Sequence, residues 1–207
     1  MGKHVSRCRP KVANILTTHT IGGTQMKRFT LFFFTAIISL LIVSACTKQE
    51  KTADAEKAVK SLVEKYCTAD LNGVNLSTES FLKSGISSFM VAGEWEPPGW
   101  DTVTLIKGYA ITSVELNDTT ATATVSYDVI GEVPGAEEVV IDRKKVNYKF
   151  RLVKKDGIWK LVTPSDLRPH VSLATTLQHI QYLYDTQKEN QPKAPHVMQR
   201  LKRLMEQ

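Results

Sequence analysis

The spacing of apolar residues changes from three or four to two near the middle of this chain. Residues 120–130, TATATVSYDVI, place small and apolar side chains at odd positions and mostly polar ones at even positions, which is typical of a half-buried antiparallel strand. Residues 146–161 alternate in the same way around Asp156-Gly157, a strong hairpin signal. Between these strands, GEVPGAEE at 131–138 is expected to be an acidic loop. These two segments predict an antiparallel sheet.

Helical spacing precedes the sheet. Residues 54–70 carry an apolar stripe and predict a first helix: Ala55, Ala58, Val59, Leu62, Val63, Tyr66 and Cys67. A second helix is expected to begin at Ser77 or Thr78, either of which can cap it. Its buried face is predicted to be Phe81, Leu82, Gly85, Ile86, Phe89 and Met90.

The remaining segments complete an α+β pattern. Residues 102–116 predict one strand, or two separated by a bulge near Gly108. Residues 172–186 predict a last helix, and 188–207 a polar linker with a short amphipathic tail. Helices and strands segregate along the chain, so residues 54–187 are predicted to form one α+β domain: two N-terminal helices packed on an antiparallel sheet of four to six strands, with an added C-terminal helix.

The segments KAVKSLVEKYCTADLNG (57–73) and YKFRLVKKDGIWKLV (148–162) resemble the nuclear-transport-factor-2-like, or cystatin-like, family. The resemblance covers residues 54–162 and implies that the sheet is strongly curved into a cone around a helix pair. The family includes isomerases and dehydratases that use an Asp or His base and Tyr donors in an apolar pocket. The helix at 172–186 is an addition to the minimal family pattern.

The N-terminal region has the three-part layout of a secretory signal. Lys27 and Arg28 precede an uncharged apolar run, residues 29–43, and small residues precede Cys46. This run is shorter than the roughly 20 apolar residues that a spanning helix needs. LIVSAC, ending at Cys46, resembles the lipobox of bacterial lipoproteins, which implies a signal peptide at 26–45, lipid on Cys46 and a tether at 46–53. Thr47 then favours the periplasmic face of the outer membrane. An uncleaved anchor helix is the alternative.

Residues 1–25 lie outside this layout. We interpret them as the product of an upstream start codon, with Met26 as the true initiator; a long cytoplasmic extension of the signal is the alternative. Residues 1–46 contain six basic residues and no acid, which leaves 27 − 6 = 21 basic residues against 21 acidic ones in 47–207. The expected mature chain is formally neutral, so we expect no nucleic-acid partner. Lipid on Cys46 would leave Cys67 without a disulfide partner, as a core thiol.

Few residues suggest chemistry. Asp101, Asp128, Tyr109, Tyr127 and Tyr148 are the polar candidates for a pocket, although Asp128 and Tyr127 should point to opposite faces of one strand. Packing is the favoured interpretation of the tyrosines.

The other candidate side chains are aromatic or basic. Trp95 and Trp100 flank the stiff Pro97-Pro98 pair and predict a lid over the core or a gripping loop. The histidines at 170, 179 and 196 lack zinc-ligand spacing, and no nucleotide or esterase motif occurs, so we expect no metal and no cofactor. The basic residues at 143–145, 149, 151, 154 and 155 predict a solvated face, or a contact with anionic headgroups or an acidic partner.

The leading hypothesis is therefore a lipid-anchored, non-catalytic protein of the cell envelope that binds a partner protein or a small apolar ligand. One alternative is a small acid/base enzyme of the cone fold, similar to an isomerase or a dehydratase. Another is an envelope-assembly scaffold in which residues 196–207 dock on another chain.

Overall fold

A computed structural model describes residues 52–91, 101–162 and 167–207 of the chain. All of them belong to one compact unit, Thr47–Gln207. The predicted signal peptide, Cys46, Trp95 and Trp100 lie outside the described residues. Among the helices of the described ranges, none is long and apolar enough to cross a membrane.

Two helices open the described chain, as predicted. Helix α1 spans residues 52–71, and its buried stripe includes Val59, Val63 and Cys67. Helix α2, Thr78–Ser84, begins at the expected cap, since the Ser77 hydroxyl accepts a hydrogen bond from the backbone N–H of Ser80.

The second predicted helix is broken at Gly85, which ends α2 with a φ of 73°. A 3-10 turn, Ile86–Phe89, follows. Phe81, Ile86 and Met90 are buried as predicted. Leu82, predicted to be buried, is 59% exposed, because adjacent residues of a helix point to different sides and Phe81 is the one that faces the core.

Within the described ranges, five strands form the sheet in the order β4-β3-β2-β1-β5. Their bounds are β1 Thr102–Leu116, β2 Thr120–Pro134, β3 Val140–Lys155, β4 Ile158–Val162 and β5 His170–Ser172. The first four pair antiparallel, whereas the short β5 pairs parallel with β1 through Thr104 and His170. The α+β prediction is confirmed, and the sheet is curled, but it is mixed rather than wholly antiparallel.

The predicted turn and bulge of the sheet are present. Asp156 and Gly157 both have positive φ, 51° and 79°, as the tight turn between β3 and β4 requires. The β1–β2 register shifts between Leu105 and Ile106 and again between Ile106 and Gly108, which is the bulge expected near Gly108. The residues expected to form an acidic loop begin instead as the end of β2, which continues to Pro134.

A bulge in β2 lets one strand contribute to two apolar cores. In the β1–β2 pairing, Ile106 lies opposite Val129 and Leu105 lies opposite Gly131, so Ile130 is an extra residue in β2. Val129 belongs to the core that α1 and α2 share with one face of the sheet, and Val133 belongs to a second core. Without a shift, residues four apart on a strand would lie on the same face. The bulge is therefore the point at which β2 changes core.

The second core belongs to two C-terminal helices rather than the single one expected. Helix α3, Leu173–Thr186, is capped by Ser172, and helix α4, Ala194–Met205, lies within the segment predicted as linker and tail. Apolar residues of both helices pack with strand residues on this side, and the buried members are Leu105, Val133, Ile180, Ala194, Val197, Met198 and Leu201.

Candidate functional site

The three tyrosines predicted for a pocket lie close together on neighbouring strands. Tyr109 and Tyr127 are direct register partners on β1 and β2, with ring centroids 6.3 Å apart. Tyr148 on β3 meets Tyr127 edge-on at 5.8 Å. The His170 ring of β5 stacks on Tyr127 at 4.1 Å and meets Tyr148 edge-on at 5.1 Å. His170, considered at first only as a zinc ligand, thus lies at the centre of the aromatic cluster.

A buried carboxyl group ties this cluster to α1. Asp70 Oδ2 accepts a hydrogen bond from the backbone N–H of His170 at 3.0 Å, and Asp70 Oδ1 accepts one from Asn75 Nδ2 at 2.7 Å. The Nδ1 atom of His170 lies 3.8 Å from Asp70 Oδ2. Asp70 therefore connects the end of α1, the following loop and the edge strand β5.

Burial shifts the pKa values of the two groups towards their neutral forms. It raises the pKa of Asp70 to about 7, although the hydrogen bonds from the His170 backbone and from Asn75 oppose that rise. It lowers the pKa of His170 to about 4. Near pH 6 the pair therefore holds a protonated carboxyl beside a neutral imidazole.

The imidazole of His170 has unused hydrogen-bonding capacity. Its Nδ1 and Nε2 atoms are both buried, and neither forms a hydrogen bond of good geometry within the described part of the chain, although the nearby backbone of Arg168 opposes the fall in the pKa of His170. A neutral imidazole beside a protonated carboxyl can exchange a proton, which is the elementary step of acid/base chemistry. The side chains of Asp70 and His170 are each only 1% exposed, however, so the pair is sealed from solvent in this conformation.

Cys67 is the core thiol that its helical position predicted. Its Sγ lies 3.3 Å from the hydroxyl of Tyr127, and both residues are fully buried. Burial raises the pKa of Cys67 to about 12 and raises the pKa of Tyr127 above its ordinary value. Because the thiolate is the reactive form, this cysteine has little nucleophilic character.

Tyr109 lies at the edge of the cluster, where α1 meets the sheet. Its hydroxyl is 2.7 Å from Thr68 Oγ1 and donates to the carbonyl oxygen of Glu64 at 3.3 Å. An open groove of about 520 Å³ runs along the same side of α1 and is lined by Ser61, Glu64, Lys65, Thr68, Ala69, Asn72 and Val74. Its volume falls within the range of small-molecule sites.

The other candidates lie apart from the cluster. Asp128 is exposed and lies opposite Lys145 in the β2–β3 register, so it faces away from Tyr127 as predicted. Asp101 is exposed at the start of β1. Among the residues that the structure describes, no group of three or more His, Cys, Asp or Glu side chains is placed to hold a metal ion.

Sequence reasoning missed Asp70, Asn75 and the central place of His170. One signal for Asp70 was present: it continues the stripe of Val59, Val63 and Cys67 at helical spacing, which puts a carboxyl group on a buried face. His170 had no comparable signal, because a three-residue strand is too short to show alternation.

Comparisons with known proteins add little. No family model matches the chain, and no curated protein matches it. Among solved structures, it is similar to an NTF-2-like protein of unknown function from Silicibacter pomeroyi DSS-3, at 14% identity and a TM-score of 0.32, covering 54% of this chain and 92% of that one. It is also similar to one from Shewanella baltica OS155, at 15% identity and a TM-score of 0.30, covering 55% and 97%. Neither likeness assigns a ligand or an activity to this chain.

Proposed function

We propose that this chain is a lipid-anchored, non-catalytic binding protein of the cell envelope, on the periplasmic face of the outer membrane. The sequence LIVSAC supports the anchor at Cys46. The stacking of Tyr127 on His170 at 4.1 Å supports a non-catalytic interior, because two rings in van der Waals contact leave no space for a substrate between them.

A small ligand is favoured over a protein partner. The groove beside Tyr109 has the volume of a small-molecule site, and because it is open, a ligand would rest against one side of α1. The apolar stripe of α4, which a scaffold would present to another chain, is buried against Ile180 and Leu105 of the same chain. The buried apolar stripe of that helix therefore gives the scaffold hypothesis no support.

Replacing Cys46 with alanine should abolish anchoring. Without the thiol, no diacylglyceryl group can be attached, and two or more acyl chains are needed for stable membrane binding. We expect the Cys46→Ala protein to be soluble or to remain as the precursor, whereas Cys8→Ala, upstream of the expected cleavage site, should fractionate like the native protein. Mass spectrometry of the native N-terminus is the direct measurement. An unmodified Cys46 thiol in the mature membrane protein would disprove the lipid anchor.

A second candidate function is acid/base catalysis by the pair Asp70 and His170. The specific observation in its favour is a buried imidazole with two unpartnered nitrogens beside a carboxyl group whose pKa is raised to about 7. In that case the site must open, because a substrate has to reach groups that are now sealed.

Carbethoxylation of histidines separates the two functions. If the interior is a packed core, the folded full chain should be modified at exposed His196 at least about 100-fold faster than at His170, since His170 reacts only through local opening. Peptide mass spectrometry after brief treatment with diethyl pyrocarbonate gives both rates in one sample. Similar rates at the two histidines would favour the enzyme.

A further inference from the structure

Helix α4 carries a second stripe beside its buried one. Arg203 and Leu204 lie three and four residues after Arg200, so these three share one side of the helix, and Gln207 follows two residues beyond its end at Met205. All four line a surface concavity of about 280 Å³. The buried stripe holds α4 against the rest of the domain, and this keeps the second stripe in a fixed position.

Strand β3 forms the opposite wall of this concavity. Ile141 and Arg143 lie where the β2–β3 register shifts, and both line the concavity. Asp142, between them, pairs with Lys144 instead. We name the concavity lined by Ile141, Arg143, Arg200, Arg203, Leu204 and Gln207 the arginine pocket.

Three guanidinium groups thus line one small site, and the described residues of its wall include no acidic side chain. Over the ranges that the structure describes, none of the three arginines forms an ion pair. Like charges held together repel one another unless an anion or counter-ions neutralise them. The planar, multiple-donor geometry of guanidinium groups matches the oxygens of phosphate in particular.

The apolar part of the wall indicates what kind of phosphate would fit. Ile141 is 37% exposed and Leu204 is half-buried in the same pocket. Their sequence neighbours, Val140 and Met205, are 44% and 50% exposed. Basic side chains combined with exposed aliphatic ones are typical of surfaces that rest in the headgroup region of a bilayer.

We propose that the arginine pocket binds the phosphate of an anionic phospholipid headgroup. The proposal rests on the lipid anchor at Cys46, which would keep the domain close to the membrane. Five residues separate Cys46 from residue 52, where the described part of α1 begins, and the six steps from one Cα atom to the next span at most about 20 Å. An anchored domain would therefore meet headgroups continuously, so even weak individual contacts would orient it.

Nuclear magnetic resonance of the arginine side chains tests this proposal on the full chain. The protein would be held in neutral maltoside micelles into which phosphatidylglycerol or phosphatidylcholine is mixed, and inorganic phosphate would be added in a parallel titration. We expect the Nε–H signals of Arg143, Arg200 and Arg203 to shift together with phosphatidylglycerol. Each Arg→Gln substitution should weaken binding about fivefold, and the triple substitution about 100-fold.

A matched control removes the same charge elsewhere on β3. Lys149→Gln, Arg151→Gln and Lys155→Gln combined should change the affinity less than about threefold if the pocket is the site. A similar loss in both triple variants would show a diffuse charge effect and overturn the proposal. An equal response to inorganic phosphate would assign a free-phosphate site instead, and no shift with any probe would exclude the pocket. The N-terminal mass of the mature protein tests the anchor separately.

Discussion

Replacing Gly131 with alanine is expected to destabilise the domain by about 3 kcal/mol or more. A Cβ atom built on Gly131 would lie 2.1 Å from the carbonyl oxygen of Val140 and 3.0 Å from the Cα atom of Ile141. Both contacts are with backbone atoms of β3, which cannot rotate away as a side chain would. Relief therefore requires β2 and β3 to separate at the bulge, and this would disturb both cores.

Gly108 provides the matched control. It also lies beside a register shift, in β1, but a Cβ atom at Gly108 would have nothing within 4 Å. We expect Gly108→Ala to change the free energy of unfolding by less than about 1 kcal/mol. Urea denaturation of the two variants and the parent chain measures the difference. If Gly131→Ala proved as stable as Gly108→Ala, the close approach of β2 to β3 at the bulge would be incorrect.

Substitutions at Asp70 and His170 should give opposite dependences of stability on pH. The folded pKa of Asp70, about 7, exceeds its ordinary 3.8, so between those values the folded state holds a proton that the unfolded state lacks. Stability from this group alone falls as pH rises, by up to about 4 kcal/mol. The folded pKa of His170, about 4, is below its ordinary 6.5, so its contribution increases with pH, by up to about 3 kcal/mol.

In the native chain these two contributions should nearly cancel between pH 4 and 6.5. Both states then hold one proton on the pair: the folded state holds it on Asp70, and the unfolded state holds it on His170. We therefore expect a nearly flat profile from this pair, even though each group is strongly shifted.

Single substitutions should expose the two slopes. His170→Phe keeps a ring beside Tyr127 and keeps the backbone N–H that donates a hydrogen bond to Asp70. Only Asp70 contributes a slope in this variant, so its stability should fall as the pH rises from 4 to 7. The stability of Asp70→Asn should increase as the pH rises from 4 to 6.5, because only His170 contributes a slope in that variant. Mismatched hydrogen bonds should separately cost it about 1–3 kcal/mol. The double variant should be flat again. Urea denaturation at several pH values measures this, and parallel profiles in all four proteins would contradict the proton assignment.

The parts of the fold that repeat at regular spacing were predictable from the sequence. The α1 stripe, the Ser77 cap, the alternation of β2 and the Asp156-Gly157 turn are each encoded within a few adjacent residues. Alternation also placed Tyr127 and Tyr148 each on the apolar face of its own strand, but their contact across the β2–β3 pairing was not predicted.

The features that depend on distant residues were not predictable. At Gly131, β3 lies too close to β2 for a Cβ atom, and GEVPGAEE contains no sign of that approach. The parallel edge strand β5 has three residues, too few for a pattern. The burial of Asp70 was visible as a stripe position, but its partner His170 is 100 residues away, and a single sequence provides no link between them.

That separation has a consequence for how the chain folds. The β1–β2 and β2–β3 hairpins join neighbouring segments and have little loop-closure entropy to overcome, whereas the contact of Asp70 with His170 closes a loop of 100 residues. Docking of β5 should therefore be a late event in folding. Until it occurs, the nascent sheet has an unpaired β1 edge, and this is the stage at which the chain is most exposed to misassembly with its copies.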